Sequence, residues 1–489
     1  MKEAHAVANS AHRVIDEPSR HRLRGRMGTL AVVFAVLAYN SPMVIMVGFV
    51  PVIIGVGNGL GAPLAFALNG LLLAVFATGF MCMTRRLESP GAFYSYITAG
   101  LGRPAGLAAS FVALLGYGLI LIGGLVFIGT AGQAFVRDTL GGNEYPTWLF
   151  SAVTVVVIGA VGYLNIDFSA KVLGALLAAE VVVIATYDAA IVWRGGRSGL
   201  HLESFTMSAF TSGSVGIALL LAMTCFAGFE ATAVFRDEVR DPATTIPRAT
   251  YLTIASIALL HTVGTWAVIQ AVGPNSAVSM MSADPANGFL DTTREYLGTV
   301  GVDVITALVL TSCLAGTLAT QNICSRYIFN LAADGILPGR FGRVHRRHGS
   351  PARASVLVSA VVVAAMIALT MCAGNDPTLY AKTTGMGGYA ILVLILVTSL
   401  AVVVWLNRWA RRDLSTFRRL VLPTVAAAGL AFVVGLATVN LDLLVGGTTA
   451  AAWGFLSGLV ILAGATACYA GWLRREKPTA YARIGRQQV

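Results

Sequence analysis

Two carboxylates stand where an apolar sequence should not hold them. Glu230 closes the string Cys225-Phe226-Ala227-Gly228-Phe229-Glu230-Ala231-Thr232, and Glu180 lies inside the uncharged run that follows Lys171. An acid at the centre of a bilayer costs several kcal/mol unless it is paired or hydrated, so each must have work to do. Glu230 can cap free backbone N–H groups or face an amine. Burial disfavours the charged form of Glu180, which suits a proton carrier or a direct cation ligand, and an acid bonded to its neighbouring helices is the plainer alternative. Asp188 comes two turns later and reads as an interface-level residue near the outer helix end. Tyr117, Phe226 and Phe229 are aromatic side chains that can close over a small molecule, although a lone aromatic in such a helix usually packs. His261 is the one histidine deep in an apolar run and reads as a core residue.

Other chemistries find no residues. There is no H-E-x-x-H, no G-x-S-x-G and no acid–histidine pair in the apolar runs, so an enzyme is not expected. The six cysteines (Cys82, Cys225, Cys313, Cys324, Cys372, Cys468) all sit in apolar runs without a CxxC, which argues against disulfides and a metal site. No cofactor is implied.

These residues must be positioned by membrane helices. Of the 489 residues 56% are apolar and 12% charged, and the mean hydropathy is +0.75. A soluble domain carries about 25% charged residues, and half that fraction cannot clothe a water-facing surface. The net charge of +11 would suggest nucleic acid in a soluble protein. Here the charge lies in short loops between apolar runs, so lipid is the implied surroundings and nucleic acid is not. The uncharged run from Met27 to Thr84 far exceeds the roughly 7–15 residues of a signal core. It reads as two crossings, with no cleavage expected.

Segments of about 20 apolar residues, enough for some 30 Å of hydrocarbon, fall near 29–55, 63–83, 104–134, 146–166, 170–192, 212–236, 249–272, 302–328, 353–373, 384–406, 420–440 and 450–473. This predicts an all-α polytopic protein of twelve transmembrane helices. With the amino terminus inside, 29 of the 34 basic residues fall in cytoplasmic segments; Arg137, Arg194, Arg197, Arg294 and Lys382 remain outside. That bias is the positive-inside pattern and predicts a multi-pass protein of the plasma (inner) membrane with both termini cytoplasmic. Trp148, Trp193, Trp405, Trp409 and Trp472 fall near segment ends, where interfacial tryptophans belong. Residues 1–28 and 474–489 read as cytoplasmic tails, unstructured over 1–26 and 476–489.

The first segment holds Asn40-Ser41-Pro42-Met43 in its middle. Proline removes a hydrogen bond and clashes with the preceding turn, so the helix should break there. Gly228 and Glu230 interrupt the sixth segment in the same way. Interrupted segments at matching places in two halves point to an inverted-repeat transporter. Residues 29–192 then form a first five-helix repeat, 193–211 an extracellular connection, 212–406 the second repeat, and 407–473 two further helices. Free N–H groups at such half-helix ends suit a carboxylate and free C=O groups suit an ammonium. Small pairs in the third segment, Gly116/Gly118 and Gly123/Gly124, suit close helix packing.

At this point the strings resemble a known family. Phe226-Ala227-Gly228-Phe229-Glu230, then Asp237-Glu238-Val239-Arg240-Asp241-Pro242 and Ile246-Pro247-Arg248-Ala249, are similar to the F-x-G-F-E and E-E-x-x-x-P…I-P-x-A pattern of the amino acid–polyamine–organocation (APC) permease superfamily. Ser89-Pro90-Gly91-Ala92-Phe93-Tyr94 resembles its P-x-G-x-x-Y loop, and Asn322, Ser325, Arg326 and Asp334-Gly335-Ile336-Leu337-Pro338 resemble the close of its eighth helix. Two features depart from it: Asn40-Ser41-Pro42-Met43 stands where the family has a G-S-G-I type break, and Ala333 replaces its arginine before Asp-Gly.

The resemblance implies a secondary transporter importing an amino acid, driven by protons, by alternating access around a mid-membrane site. A polyamine or small-amine permease, or an exchanger, is the alternative. Asn40, Ser41, Pro42, Met43, Tyr117, Phe226, Gly228, Phe229 and Glu230 are the expected substrate-binding positions. In related proton-coupled permeases a lysine at the level of Glu180 stands in for a sodium ion, and here the charge is reversed. Glu180 is thus the expected proton-coupling residue.

Overall fold

A computed structural model describes residues 27–87, 93–164, 170–230, 232, 239–345, 350–373, 376, 378–445 and 447–485. Ser89 to Ala92, Asp237 and Glu238 of the motifs above, and the tail 1–26, lie outside the described residues.

Eleven helices are long and apolar enough to cross a membrane: α1 (Thr29–Gly55), α2 (Gly59–Thr84), α3 (Arg103–Arg137), α4 (Thr147–Leu164), α5 (Gly174–Arg194), α7 (Pro242–Val272), α8 (Gly288–Ala333), α9 (Ala352–Leu369), α10 (Leu379–Trp409), α11 (Phe417–Val439) and α12 (Thr449–Glu476). Between α5 and α7 stands the shorter apolar helix α6 (Val215–Thr224). Among the described residues there is no strand, only an isolated bridge between Met27 and Val239. The protein is therefore a polytopic all-α membrane protein, in which the sixth expected crossing contains just ten helical residues before it unwinds.

The outward faces suit lipid. Val156, Val182 and Ile461 are exposed by 70%, 63% and 68%, which no water-soluble bundle would tolerate across several helices. The core instead runs along α1, α3, α6, α8 and α10. Glycine sets their spacing, since a Cβ at Gly116 would come within 2.9 Å of Ile391, and one at Gly123 within 2.0 Å of Thr384 on α10. Gly124 faces Thr317 of α8, whereas Gly118 has nothing within 4 Å and takes no part in packing.

Two stretches differ from the sequence reading. The polar region after α7 is folded: Pro274–Ala283 is a helix, and α8 begins at Gly288 with a sharp kink at Gly298 (φ 74°, ψ −172°). The carboxy-terminal tail is also structured over Pro478–Arg483. The Arg103 guanidinium lies 5.3 Å from the Tyr481 ring centre and donates to the Ala482 carbonyl at 3.4 Å. An apolar cluster including Leu107, Leu331, Leu473 and Ile484 seals this contact. Apolar residues among the charges of the tail made docking possible, but only the surface they meet reveals it. Asp334, just beyond α8, is buried there; burial pushes its carboxyl up to about 6, against the pull of Arg483.

Candidate functional site

The α1 break forms at the expected place. A first helical part ends at Asn40, and Ser41 caps it in the left-handed region (φ 56°, ψ 65°). Ser41 is the single non-glycine residue with positive φ among those described, a conformation that costs on the order of 1–3 kcal/mol and persists only where its surroundings hold it. They do so here. The Ser41 hydroxyl donates to the Ser312 carbonyl at 2.9 Å, and Gly316 leaves room for it, since a Cβ there would lie 2.6 Å from Ser41 Oγ. Pro42 then opens a second helical part, which runs through a π-turn at Ile45–Phe49 to Val50–Gly55.

The α6 break faces it. After Thr224 the chain passes through turns at Cys225 to Gly228, and Gly228 has φ +100°. The Asn40 side-chain amide donates to the carbonyl of Cys225, tying one break to the other. Glu230 folds back to accept from the Gly228 N–H at 3.0 Å, and its other oxygen accepts from the Tyr117 hydroxyl. Both oxygens of Glu230 are thus committed to protein donors. Residues 231 and 233–238, where the helix would resume, are outside the described residues.

Glu180 lies behind the α1 break. Its Oε2 accepts from the Met43 N–H at 3.1 Å and from the Ser312 hydroxyl at 3.1 Å. One carboxylate therefore pins three helices, α1, α5 and α8, and the N–H it takes is one freed by the break. Each such bond to a charged acceptor contributes about 1.5–3 kcal/mol.

A cavity of about 110 Å³ lies between the breaks. Tyr39, Asn40 and Ser41 line it from α1, Thr224 and Cys225 from α6, Thr317 and Thr320 from α8. Phe49, Phe127 and Tyr380 bound another side; the Phe127 and Tyr380 rings have centres 4.9 Å apart with planes tilted by 55°, and the Tyr380 hydroxyl donates to the Gly48 carbonyl. Among the described residues no charged side chain reaches the wall. Polarity comes from hydroxyls, one amide and backbone groups. Among the described residues no group of three or more His, Cys, Asp or Glu is placed to hold a metal ion.

Of the nine positions singled out from sequence, Asn40 and Ser41 line the cavity. Pro42 and Met43 are buried in the second part of α1. Tyr117, Gly228 and Glu230 form the bonded group beside it. Phe229 packs edge-on to Phe76 at 6.1 Å, and Phe226 approaches Gly70. Sequence reasoning passed over Tyr39, Phe49, Phe127, Tyr380 and the α8 threonines. Only Tyr39 carried a local signal, being adjacent to the break. Asp188, expected near the outer helix end, is buried within the protein at 9% exposure.

Removing the Tyr117 hydroxyl tests this bonded group. Tyr117→Phe leaves a buried Glu230 oxygen without its donor, a loss of about 1–3 kcal/mol. A lower apparent melting temperature in detergent is expected; an unchanged one would mean that Glu230 finds another donor.

Comparison with known proteins gives a consistent result. The family described as amino acid permease matches residues 31–476. An uncharacterized transporter of Mycobacterium tuberculosis is 30% identical over 336 residues, 64% of this chain and 71% of its own. The low-affinity putrescine importer PlaP of Escherichia coli is 24% identical over 368 residues, 73% and 77% of the two chains. The aromatic amino acid transport protein AroP of Escherichia coli is 25% identical over 387 residues, 75% and 78%.

Proposed function

The chain belongs to the amino acid permease family of the APC superfamily, and from that premise we propose that it imports an amino acid across the plasma membrane, driven by protons. The observation carrying this reading is the cavity between the interrupted helices α1 and α6. Broken helices expose backbone donors and acceptors away from water, which suits a small zwitterion. In this reading α1 to α5 and α6 to α10 are inverted repeats, and α11 and α12 are appended. Asn40 and Ser41 touch the substrate. Tyr117, Gly228 and Glu230 hold the α6 turn in shape, with Phe226 and Phe229 anchoring it, while Pro42 and Met43 start the second part of α1.

Glu180 links the proton to movement. Ionised, it fastens Met43 and Ser312 through charge-assisted bonds. Protonation removes the charge and roughly halves the strength of such bonds, freeing the α1 break to shift against α8. Alternating access requires a relative movement of that kind.

A second reading has support of its own. The Met43 N–H is already occupied by Glu180 and Pro42 has none, so a substrate carboxylate finds fewer free donors at this break. Carbonyls and aromatic faces remain, which suits a polyamine or small amine, and one relative is named a putrescine importer.

Uptake of labelled amino acids and putrescine into proteoliposomes, with and without an imposed pH gradient, decides between them. Saturable, gradient-driven accumulation of an amino acid with counterflow is expected. Accumulation of putrescine alone would transfer the reading to the amine class, and uptake without saturation would exclude a carrier. Topology has its own check. A cysteine placed at Gly142 should react with an impermeant maleimide in intact cells and one at Gly339 should not; labelling of Gly339 would reverse the charge-based orientation. Gly349, in the same loop, lies outside the described residues.

A further inference from the structure

Three buried polar atoms on the packed helices α5 and α7 have no hydrogen-bond partner among the described residues: Asp188 Oδ1, His261 Nε2 and Thr265 Oγ1. His261 and Thr265 are fully buried and Asp188 nearly so. Buried polar groups are bonded in the great majority of cases, to protein or to ordered water. Ordered water is the ordinary partner of such atoms.

Their placement is continuous. His261, Gly264 and Thr265 follow the i, i+3, i+4 spacing that puts residues on one helical face. Asp188 Oδ1 lies 3.9 Å from the point a Cβ on Gly264 would occupy, so the carboxylate sits against this face. At the other end the His261 ring stacks on Phe66 at 5.4 Å, and its Nδ1 pairs with the Ile257 carbonyl at 2.8 Å. With a carbonyl as its partner, Nδ1 carries the hydrogen and Nε2 is left as an acceptor. The same ring approaches the Pro42 backbone, one residue from the Met43 N–H that Glu180 holds. None of Asp188, His261 and Thr265 lines the substrate cavity.

We propose that Asp188, Thr265 and His261, bridged by water, form a proton relay along the α5–α7 contact that loads Glu180 by a route separate from the substrate. A proton from outer water joins the Asp188 carboxylate and passes through water to His261 Nε2. It leaves that same nitrogen for Glu180, and Asp188 and His261 return to their starting forms. Other titratable groups near this face are Tyr187 on α5, bonded to Thr292 at 2.7 Å, with Glu295 and Tyr296 within its electrostatic reach. Arg194 at the end of α5 bonds the Glu295 carbonyl. From α1 and α2, Met46 and Phe66 pack against this face.

The relay rests on the proton-coupled reading, and the test separates the two. The full chain is reconstituted with an entrapped pH-sensitive dye, using whichever labelled amino acid or putrescine the wild type takes up best. Asp188→Asn and His261→Gln should each lose substrate-coupled proton entry and gradient-driven accumulation while keeping substrate exchange without a gradient. Thr265→Ser and Asp188→Glu should retain proton entry. Variants that keep proton entry overturn the relay alone. Exchange and proton entry lost together in both variants would assign the seam to packing and also overturn it. A wild type that exchanges substrate but admits no proton removes the coupling reading, and the relay with it.

Discussion

Glu180→Gln should abolish accumulation against a gradient while leaving exchange in place. Glutamine keeps the shape and an oxygen that can still accept from the Met43 N–H and the Ser312 hydroxyl. It removes the charge, so each bond falls from about 1.5–3 to about 0.5–1.5 kcal/mol. The variant imitates the protonated form permanently. Wild-type uptake should rise as the outside is acidified, because more Glu180 is protonated on that side, and the variant should show a flat profile. Uptake in proteoliposomes with an imposed pH gradient, beside exchange without one, gives both readouts, with Glu203→Gln in an exposed loop as the control. If Glu180→Gln still concentrates substrate under the gradient, Glu180 is a structural acid and another group carries the coupling proton.

Gly228→Val should eliminate uptake and exchange together, with the protein still present in the membrane. Two independent obstacles act at this position. The backbone has φ +100°, which an L side chain rarely adopts, and a Cβ would stand 2.1 Å from the Tyr39 ring. Tyr39 lines the cavity, so the clash is transmitted directly to the proposed substrate position. It also displaces the Gly228 N–H from Glu230. Gly228→Ala should be severe as well, since it meets both obstacles with a smaller side chain. Combining it with Tyr39→Ala relieves the clash and leaves the backbone strain, so partial recovery of binding would identify the ring contact as the larger effect. Wild-type rates in Gly228→Val would show that the α6 turn is not needed in this conformation during transport.

Local covalent features explain what was readable in advance. Proline at 42 and glycine at 228 act on their own backbone, and both interruptions stand where those residues do. The apolar runs likewise announced membrane helices, because a span of hydrocarbon imposes length and composition on each helix separately. Glu230 was recognisable for the same reason: its cap on Gly228 is two residues away. The short α6 was not. The count of apolar residues continues through Cys225 to Thr232, and hydropathy does not register that the backbone has left the helix.

The partners of these residues were decided elsewhere in the chain. Glu180 meets Met43 across 137 positions and Ser312 across 132, and Tyr117 reaches Glu230 across 113. No spacing rule connects such residues, because helix packing, rather than helix periodicity, brings them together. The same holds for Phe127 and Tyr380 at the cavity, which sequence presents as ordinary packing aromatics, and for Asp188, which is buried beside Gly264 of another helix. By itself the sequence determined that the chain is a bundle of membrane helices, where two of them break, and which acids are too costly to be incidental. Tertiary structure alone decided that Glu230 spends both oxygens on the protein, that Glu180 pins the α1 break to α8, and that the cavity between the breaks is walled without charge. The physical reason is that desolvation makes a buried acid seek donors wherever packing supplies them, and packing is a property of all the helices at once.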